Sequence, residues 1–322
     1  MSVFDGFKPY AESRTVKSII DLRDGTVLLS QYLAGRFTYR TGENWLSEIR
    51  NCRFILNGKR IEDDIFLTGK NELIYEFQER AEPECDLNYH LLGMDENFIC
   101  VAKSGNLPTH PAGQYYKNTL WYLLQKDFGA CAPVSRLDRE TSGVILFARN
   151  PEAARFFSQN QMRKIYHVIV HGNFPETLDA AGFLLADNDS AIRKKRKFVF
   201  EKPSDGIFED CRTIFRKIDC RNDFSLLEAE LKTGRTHQIR ATCQSLGFPV
   251  AGDKIYGVDE NIFLRFIDGT ISDDDMDKLI FSHQALHAYS LTFMAPNGQN
   301  EITFQVPMPL DFSGINMLRK QK

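Results

Sequence analysis

The chain has 322 residues, 43% hydrophobic and 26% charged, which is the composition of an ordinary soluble globular protein long enough for about two domains. Forty Lys and Arg against 43 Asp and Glu give a formal charge of -3 and a pI near 6.2, which excludes a protein that coats nucleic acid by bulk electrostatics. No apolar run reaches the length of a membrane span, MSVFDGFKPYAESR carries no signal-peptide pattern, and the seven cysteines contain no CxxC pair. A cytoplasmic chain with reduced, mostly buried thiols and no metal site is therefore expected.

In chain order, Leu28, Tyr32 and Leu33 have helical spacing, as do Trp45, Leu46 and Ile49. Phe54-Ile55-Leu56 then reads as a strand, Asn57-Gly58 as a tight hairpin turn and 73–77 as a closing strand. Arg36, Arg40, Arg50, Arg53, Lys59 and Arg60 give this compact αββ unit a basic character. The polar stretch QERAEPECDLNY, with Pro83 inside it, breaks the pattern, so the expected division is an extension and small unit over 1–80 and a larger domain over 88–322.

Beyond that break, short β-branched or aromatic runs at 98–102, 144–148, 165–170, 213–215, 225–231, 291–293 and 302–306 predict strands. Helices are expected at 119–126, 151–161 and 237–246, the last stopped by Gly247. Many short strands with a few covering helices define an α+β domain.

Chemistry concentrates in SRLDRETSG at 135–143, where Asp138 lies between Arg136 and Arg139 ahead of an apolar strand. A carboxylate beside opposite charge stays ionised, and an ionised aspartate can act as a nucleophile. The plain alternative is an aspartate that neutralises its arginines at a loop end. Residues 191–240 hold 13 Lys and Arg against 8 Asp and Glu, including the run Arg193-Lys194-Lys195-Arg196-Lys197. That run reads either as phosphate contact or as a solvated loop. In LKTGRTHQIRATCQSLG, Ile239, Cys243 and Leu246 form one apolar helical stripe. Arg240 and Thr236 then fall on a neighbouring face, where Arg240 could hold a carboxylate bidentately and Gly234-Arg235-Thr236 could offer backbone N–H groups to a phosphate. Strand alternation sets Tyr166, Val168 and Val170 on one face.

Four segments, SRLDRETSG, KIYHVIVHG, LKTGRTHQIRATCQSLGFPVAGDKIYG and HQALHAYSLTFMAP, stand in register over about 160 residues. In this order and spacing they resemble the RluA-type RNA pseudouridine synthases, enzymes that isomerise uridine within a folded RNA without a cofactor. The resemblance implies the pseudouridine synthase fold, a mixed and mostly antiparallel sheet with a central cleft. It also implies that Asp138 is the nucleophile, that Arg240 is its ion-pair partner and that Tyr166 packs against the target base. Arg136 matches an arginine implicated in base displacement, and Leu286 the apolar contact beneath the flipped base. Arg235, Thr236, His237, Lys194, Lys195 and Arg196 are the expected RNA contacts. The small unit looks like an RNA-binding domain first seen in a ribosomal small-subunit protein, with a packing appendage as the alternative. Structured RNA, ribosomal or transfer, is the expected partner of a monomeric enzyme that binds neither membrane nor DNA.

Two positions depart from the family's habit. Ser135 stands where many relatives have His, and Lys103-Ser104 where Lys-Pro is usual. FKPY near the start and THPAGQYYKNTL at 109–120 lean toward transfer-RNA relatives. The competing readings are an RNA-binding or folding factor that keeps the fold without catalysis, and a glycoside hydrolase that pairs Asp138 with Glu140. A zinc deaminase is excluded because no His/Cys ligand set is present.

Overall fold

The computed structural model describes residues 15–37, 41–76, 82–296, 298 and 300–308. Two separately packed units divide the chain between Glu82 and Pro83. The first is built from β1 (Thr15–Leu28), α1 (Leu29–Arg36), α2 (Gly42–Arg50), β2 (Phe54–Leu56), β3 (Lys59–Ile61) and β4 (Phe66–Glu76). Its antiparallel sheet has the order β1-β4-β2-β3. Asn57 and Gly58 join β2 to β3 with φ of 48° and 82°, the left-handed pair that a two-residue hairpin of matching twist requires. The side chain of Thr41 accepts the Asn44 amide and starts α2, which buries Trp45 and Ile49 with Phe54 and Tyr75.

The expected helices and hairpin are present, but Leu28 ends a long strand instead of opening a helix, so αββ understates the unit. In β1, Val16, Ser18, Ile20 and Leu22 alternate inward while Ile19 is exposed. An inward serine beside an outward isoleucine blurs the period-two signal. Arg40, Phe77 and the FKPY segment lie outside the described residues.

The second unit runs β5 (Tyr89–Met94), β6 (Phe98–Lys103), α3 (Leu120–Phe128), β7 (Ala132–Pro133), β8 (Ser142–Ala148), α4 (Pro151–Gln159) and β9 (Arg163–His171). It continues with β10 (Thr177–Ala186), β11 (Arg196–Val199), β12 (Phe208–Arg221), β13 (Phe224–Leu231), α5 (Gln238–Ser245), α6 (Asn261–Ile267), α7 (Asp273–Leu279), β14 (Leu286–Met294) and β15 (Glu301–Gln305). The sheet order is β11-β10-β12-β13-β9-β14-β8-β6-β5, with β15 on β14 and β7 on β8. Every expected strand has its counterpart. Among those not expected, β11 takes Arg196 and Lys197 out of the basic run and pairs them with Ala186 and Leu185.

The sheet is antiparallel except where β14 meets β8. They run parallel through only two register pairs, His287 with Ser142 and Ala288 with Gly143. Gly143 is obligatory there, because at φ 108° a Cβ would lie 2.2 Å from the Ala288 carbonyl oxygen. One core, containing Val168, Val170, Leu227, Ile239, Cys243 and Leu286, lies to one side of this seam. Another, containing Phe98, Leu146, Phe157 and Phe293, packs residues of β8 and β14 together across it. The two-pair parallel junction sits beside the turn that carries Asp138.

Candidate active site at the sheet seam

The turn leading into β8 is tied down at nearly every residue. Thr109 Oγ1 donates to the Leu137 carbonyl at 2.8 Å and accepts the Leu137 N–H at 3.2 Å. The Arg139 carbonyl accepts the Leu107 N–H and the Lys103 ammonium, both at 3.0 Å. Gln284 Nε2 donates to Thr141 Oγ1 at 2.6 Å, and the Thr141 N–H closes the turn on the Asp138 carbonyl at 3.1 Å. A backbone held this way fixes the direction of the Asp138 side chain before any substrate arrives.

The sequence neighbours of Asp138 do not hold its charge, contrary to expectation. Arg136 is exposed and donates to His110 Nε2 at 3.4 Å, while Arg139 donates to the Tyr115 hydroxyl at 2.6 Å and to Glu140 at 3.1 Å. The partner is Arg240, 102 residues away, whose Nη1 donates to Asp138 Oδ2 at 2.6 Å. That contact is single. The bidentate partner of Arg240 is Asp253, which accepts Nε at 2.6 Å and Nη2 at 2.9 Å.

Burial pushes the Asp138 carboxyl up, but the charge and hydrogen bond of Arg240, with His237 and a hydrogen bond from Gln284, together hold it below the usual carboxylate range. Burial likewise opposes the Arg240 charge, and the two carboxylates overcome it. Asp138 keeps 32% of its side chain exposed, whereas Arg240 keeps 6%. The result is an ionised, accessible carboxylate on a buried counter-ion.

Around it, Tyr166, Arg136, Arg235, His237 and Leu286 line the same small cleft with Asp138 and Arg240. Tyr166 lies on β9 opposite Ala288 of β14, at the seam itself. Burial, then the charge of Asp138, raises its phenol, so it stays protonated at neutral pH. His237 adopts the left-handed conformation ahead of α5, with Nδ1 2.9 Å from the Tyr256 hydroxyl and Nε2 3.8 Å from Asp138 Oδ1. Burial lowers its pKa to about 4, which leaves the imidazole neutral. Leu286 packs in the core and closes the cleft floor.

Other expected contacts need correction. Lys195 is 5% exposed and donates to Glu260 at 2.6 Å, so it braces the fold and is not free to meet a phosphate. Lys194 is exposed, stands 4.5 Å over the Phe263 ring and feels the charges of Arg240 and Asp138. Arg196 is half-buried and gives its backbone N–H to the Tyr256 hydroxyl. Thr236 is exposed in the turn before α5, so it does not share the buried face of Arg240. The Arg235 N–H is taken by Gln238 Oε1 at 3.0 Å and cannot seat a phosphate.

A larger cavity of about 620 Å³ receives Arg139, Glu140 and Ser142 of the same turn, with Lys103, Lys254 and His283. Its carboxylate carries two cations on one oxygen, since Glu140 Oε1 accepts Lys254 at 3.0 Å and Arg139 at 3.1 Å. Size does not make it the reactive site. Asp253, Tyr256 and Gln284 were not singled out from the sequence, although Gly252-Asp253 is a lone acid in the apolar stretch FPVAGDKIYG.

A family model described as RNA pseudouridylate synthase matches residues 97–245. Ribosomal large subunit pseudouridine synthase D of Zymomonas mobilis is 31% identical, covering 71% of this chain and 72% of that protein. The mitochondrial tRNA pseudouridine(32) synthase of Saccharomyces cerevisiae is 27% identical over 70% of this chain, which spans 49% of that relative's length. The solved structure of Human RNA Pseudouridylate Synthase Domain Containing 1 covers 74% of this chain and 98% of its own, with a TM-score of 0.54 at 20% identity, a likeness of fold. The α+β unit with its seam cleft therefore has the pseudouridine synthase fold. The chain belongs to the RluA-type RNA pseudouridine synthase family, whose members are isomerases.

Proposed function

We propose that this chain converts uridine to pseudouridine at defined positions of a structured ribosomal or transfer RNA, with Asp138 as the nucleophile. The reading is carried by one observation: the cleft holds an accessible carboxylate whose Oδ2 is bound by the buried Arg240 guanidinium. Isomerisation breaks the C1′–N1 bond, which leaves the bonding electrons on uracil and positive charge on the sugar. An ionised carboxylate at that carbon answers the charge, as carboxylates do in glycoside hydrolysis. The ring then turns, the uracil anion bonds to C1′ through C5, and the proton that C5 gives up to solvent is matched by the one N1 takes, so the product is an isomer of the substrate.

Tyr166, kept protonated, holds the base against the cleft wall, with Leu286 beneath. The base must first leave its stack, at a cost of roughly a few kcal/mol, and the exposed guanidinium of Arg136 is placed to fill the gap. Lys194, Arg196 and Arg235 contribute phosphate contacts. The relatives' names divide between ribosomal and transfer RNA, so the test is to map pseudouridines across total RNA with and without the protein. Discrete uridines should lose modification in its absence and regain it with the wild-type chain but not with Asp138→Asn. An unchanged map would overturn the proposal.

A further inference from the structure

The segment 250–257, beyond the stretch that the family model matches, builds the other half of the site. Asp253 is 1% exposed, and its Oδ1 accepts the backbone N–H groups of Ile255 at 2.9 Å and Tyr256 at 3.0 Å as well as Arg240. The turn has no room to shift. A Cβ on Gly252 would lie 2.3 Å from the His283 carbonyl oxygen, and one on Gly257 would lie 2.1 Å from the Asp253 carbonyl oxygen. From the same turn, the Tyr256 ring lies 4.9 Å from the guanidinium carbon of Arg240. Its hydroxyl accepts the Arg196 N–H at 2.9 Å and lies in hydrogen-bond contact with His237 Nδ1 at 2.9 Å. A hydroxyl that donates to Nδ1 puts the ring proton of the neutral imidazole on Nε2, the nitrogen on the side of Asp138.

We propose that Asp253 is a positioning residue: by occupying the bidentate fork of Arg240 it limits the guanidinium to one hydrogen bond with Asp138. The carboxylate is thereby kept ionised without being locked by two parallel hydrogen bonds. Two carboxylates on one guanidinium leave the cluster with net negative charge, which the developing sugar cation neutralises. Tyr256 does the same service for His237. The inference rests on Asp138 being the nucleophile.

The test is Asp253→Asn in single-turnover isomerisation of a transcript carrying a mapped site, with RNA affinity and folded content measured in parallel. The rate should fall about 100-fold while Kd stays within about twofold and the fold is retained. The loss should be equal from about pH 5 to about pH 8, because Asp138 becomes more tightly paired and stays ionised. A loss that deepens as pH falls would mean that Arg240 had swung away from Asp138, and an unaltered rate would mean that Asp253 is only structural; either overturns the inference. Should Asp253→Asn not fold, Tyr256→Phe keeps the ring and removes the hold on His237. It should lose about 10-fold in rate with affinity unchanged, and a wild-type rate would overturn the inference. Asp138→Asn run alongside separates the two claims. If that variant is active the nucleophile reading fails, whereas an inactive Asp138→Asn beside an unimpaired Asp253→Asn sinks only this one.

Discussion

Two regions meet at the turn 136–142, the cleft at the sheet seam and the larger cavity, and each receives one carboxylate from it. Glu140 in the cavity is 14% exposed and bound by Lys254 and Arg139; Asp138 in the cleft is 32% exposed and bound through one oxygen by Arg240. The cavity is far larger, yet its Glu140 is already held by two cations. A carboxylate that must answer charge developing on a substrate needs access to it and charge not already shared among cations, and Asp138 is the more exposed of the two and has one cation where Glu140 has two. The same contrast weighs against a glycosidase reading, because Glu140 does not share the cleft with Asp138.

The largest effect that could break this comparison is on stability. Arg240→Met would strand Asp253 in the interior and should cost about 3–5 kcal/mol in urea unfolding. Lys254→Met leaves Glu140 its Arg139 partner and should cost about 1–3 kcal/mol. The reverse ranking would mean that the cavity, not the cleft, is the electrostatic keystone.

Acid sharpens the picture from another side. Burial lowers both His237 and His287 to about 4, below the value of about 6.5 in an unfolded chain. The folded state therefore binds fewer protons, and the stability from these neutral rings is present above about pH 6.5 and lost as pH falls toward about 4. Each should contribute a slope of up to about 1.4 kcal/mol per pH unit, read from unfolding midpoints. A flat midpoint over that window would contradict neutral rings on both sides of the turn.

Within the basic run, Lys195→Met should destabilise the fold by about 1–3 kcal/mol without changing the salt dependence of RNA binding. Lys194→Gln should leave stability alone and lower the salt slope by about 1. Equal salt effects would erase the distinction between the buried and the exposed lysine.

Much of this was legible in the sequence because the signals were local. Period-two runs gave the strands that flank the seam, and Gly247 at φ 84° ends α5, with the Phe248 N–H bonding back to the Cys243 carbonyl. Asp138, Tyr166 and Arg240 were found from motifs and do converge. What failed was the inference from adjacency. The adjacent arginines are taken by other partners, Arg136 by His110 and Arg139 by Tyr115 and Glu140, while Arg240 reaches Asp138 from α5. The role of Asp253 depends on which fork of Arg240 is taken, and no residue pattern reveals that. The acidic run at 273–277 opens α7, where Ser272 and Asp275 form a capping box and Arg265 binds Asp275 at 2.6 Å.

The central claim is that the less-bound carboxylate of the turn does the chemistry. Its most direct test is single-turnover pseudouridine formation by Asp138→Asn and Glu140→Gln on the same RNA, each with its affinity measured. Asp138→Asn should lose more than about 1000-fold in rate with RNA binding preserved, and Glu140→Gln should stay within about 10-fold of wild type. Isomerisation that survives Asp138→Asn, or vanishes with Glu140→Gln at full RNA binding, would contradict the assignment.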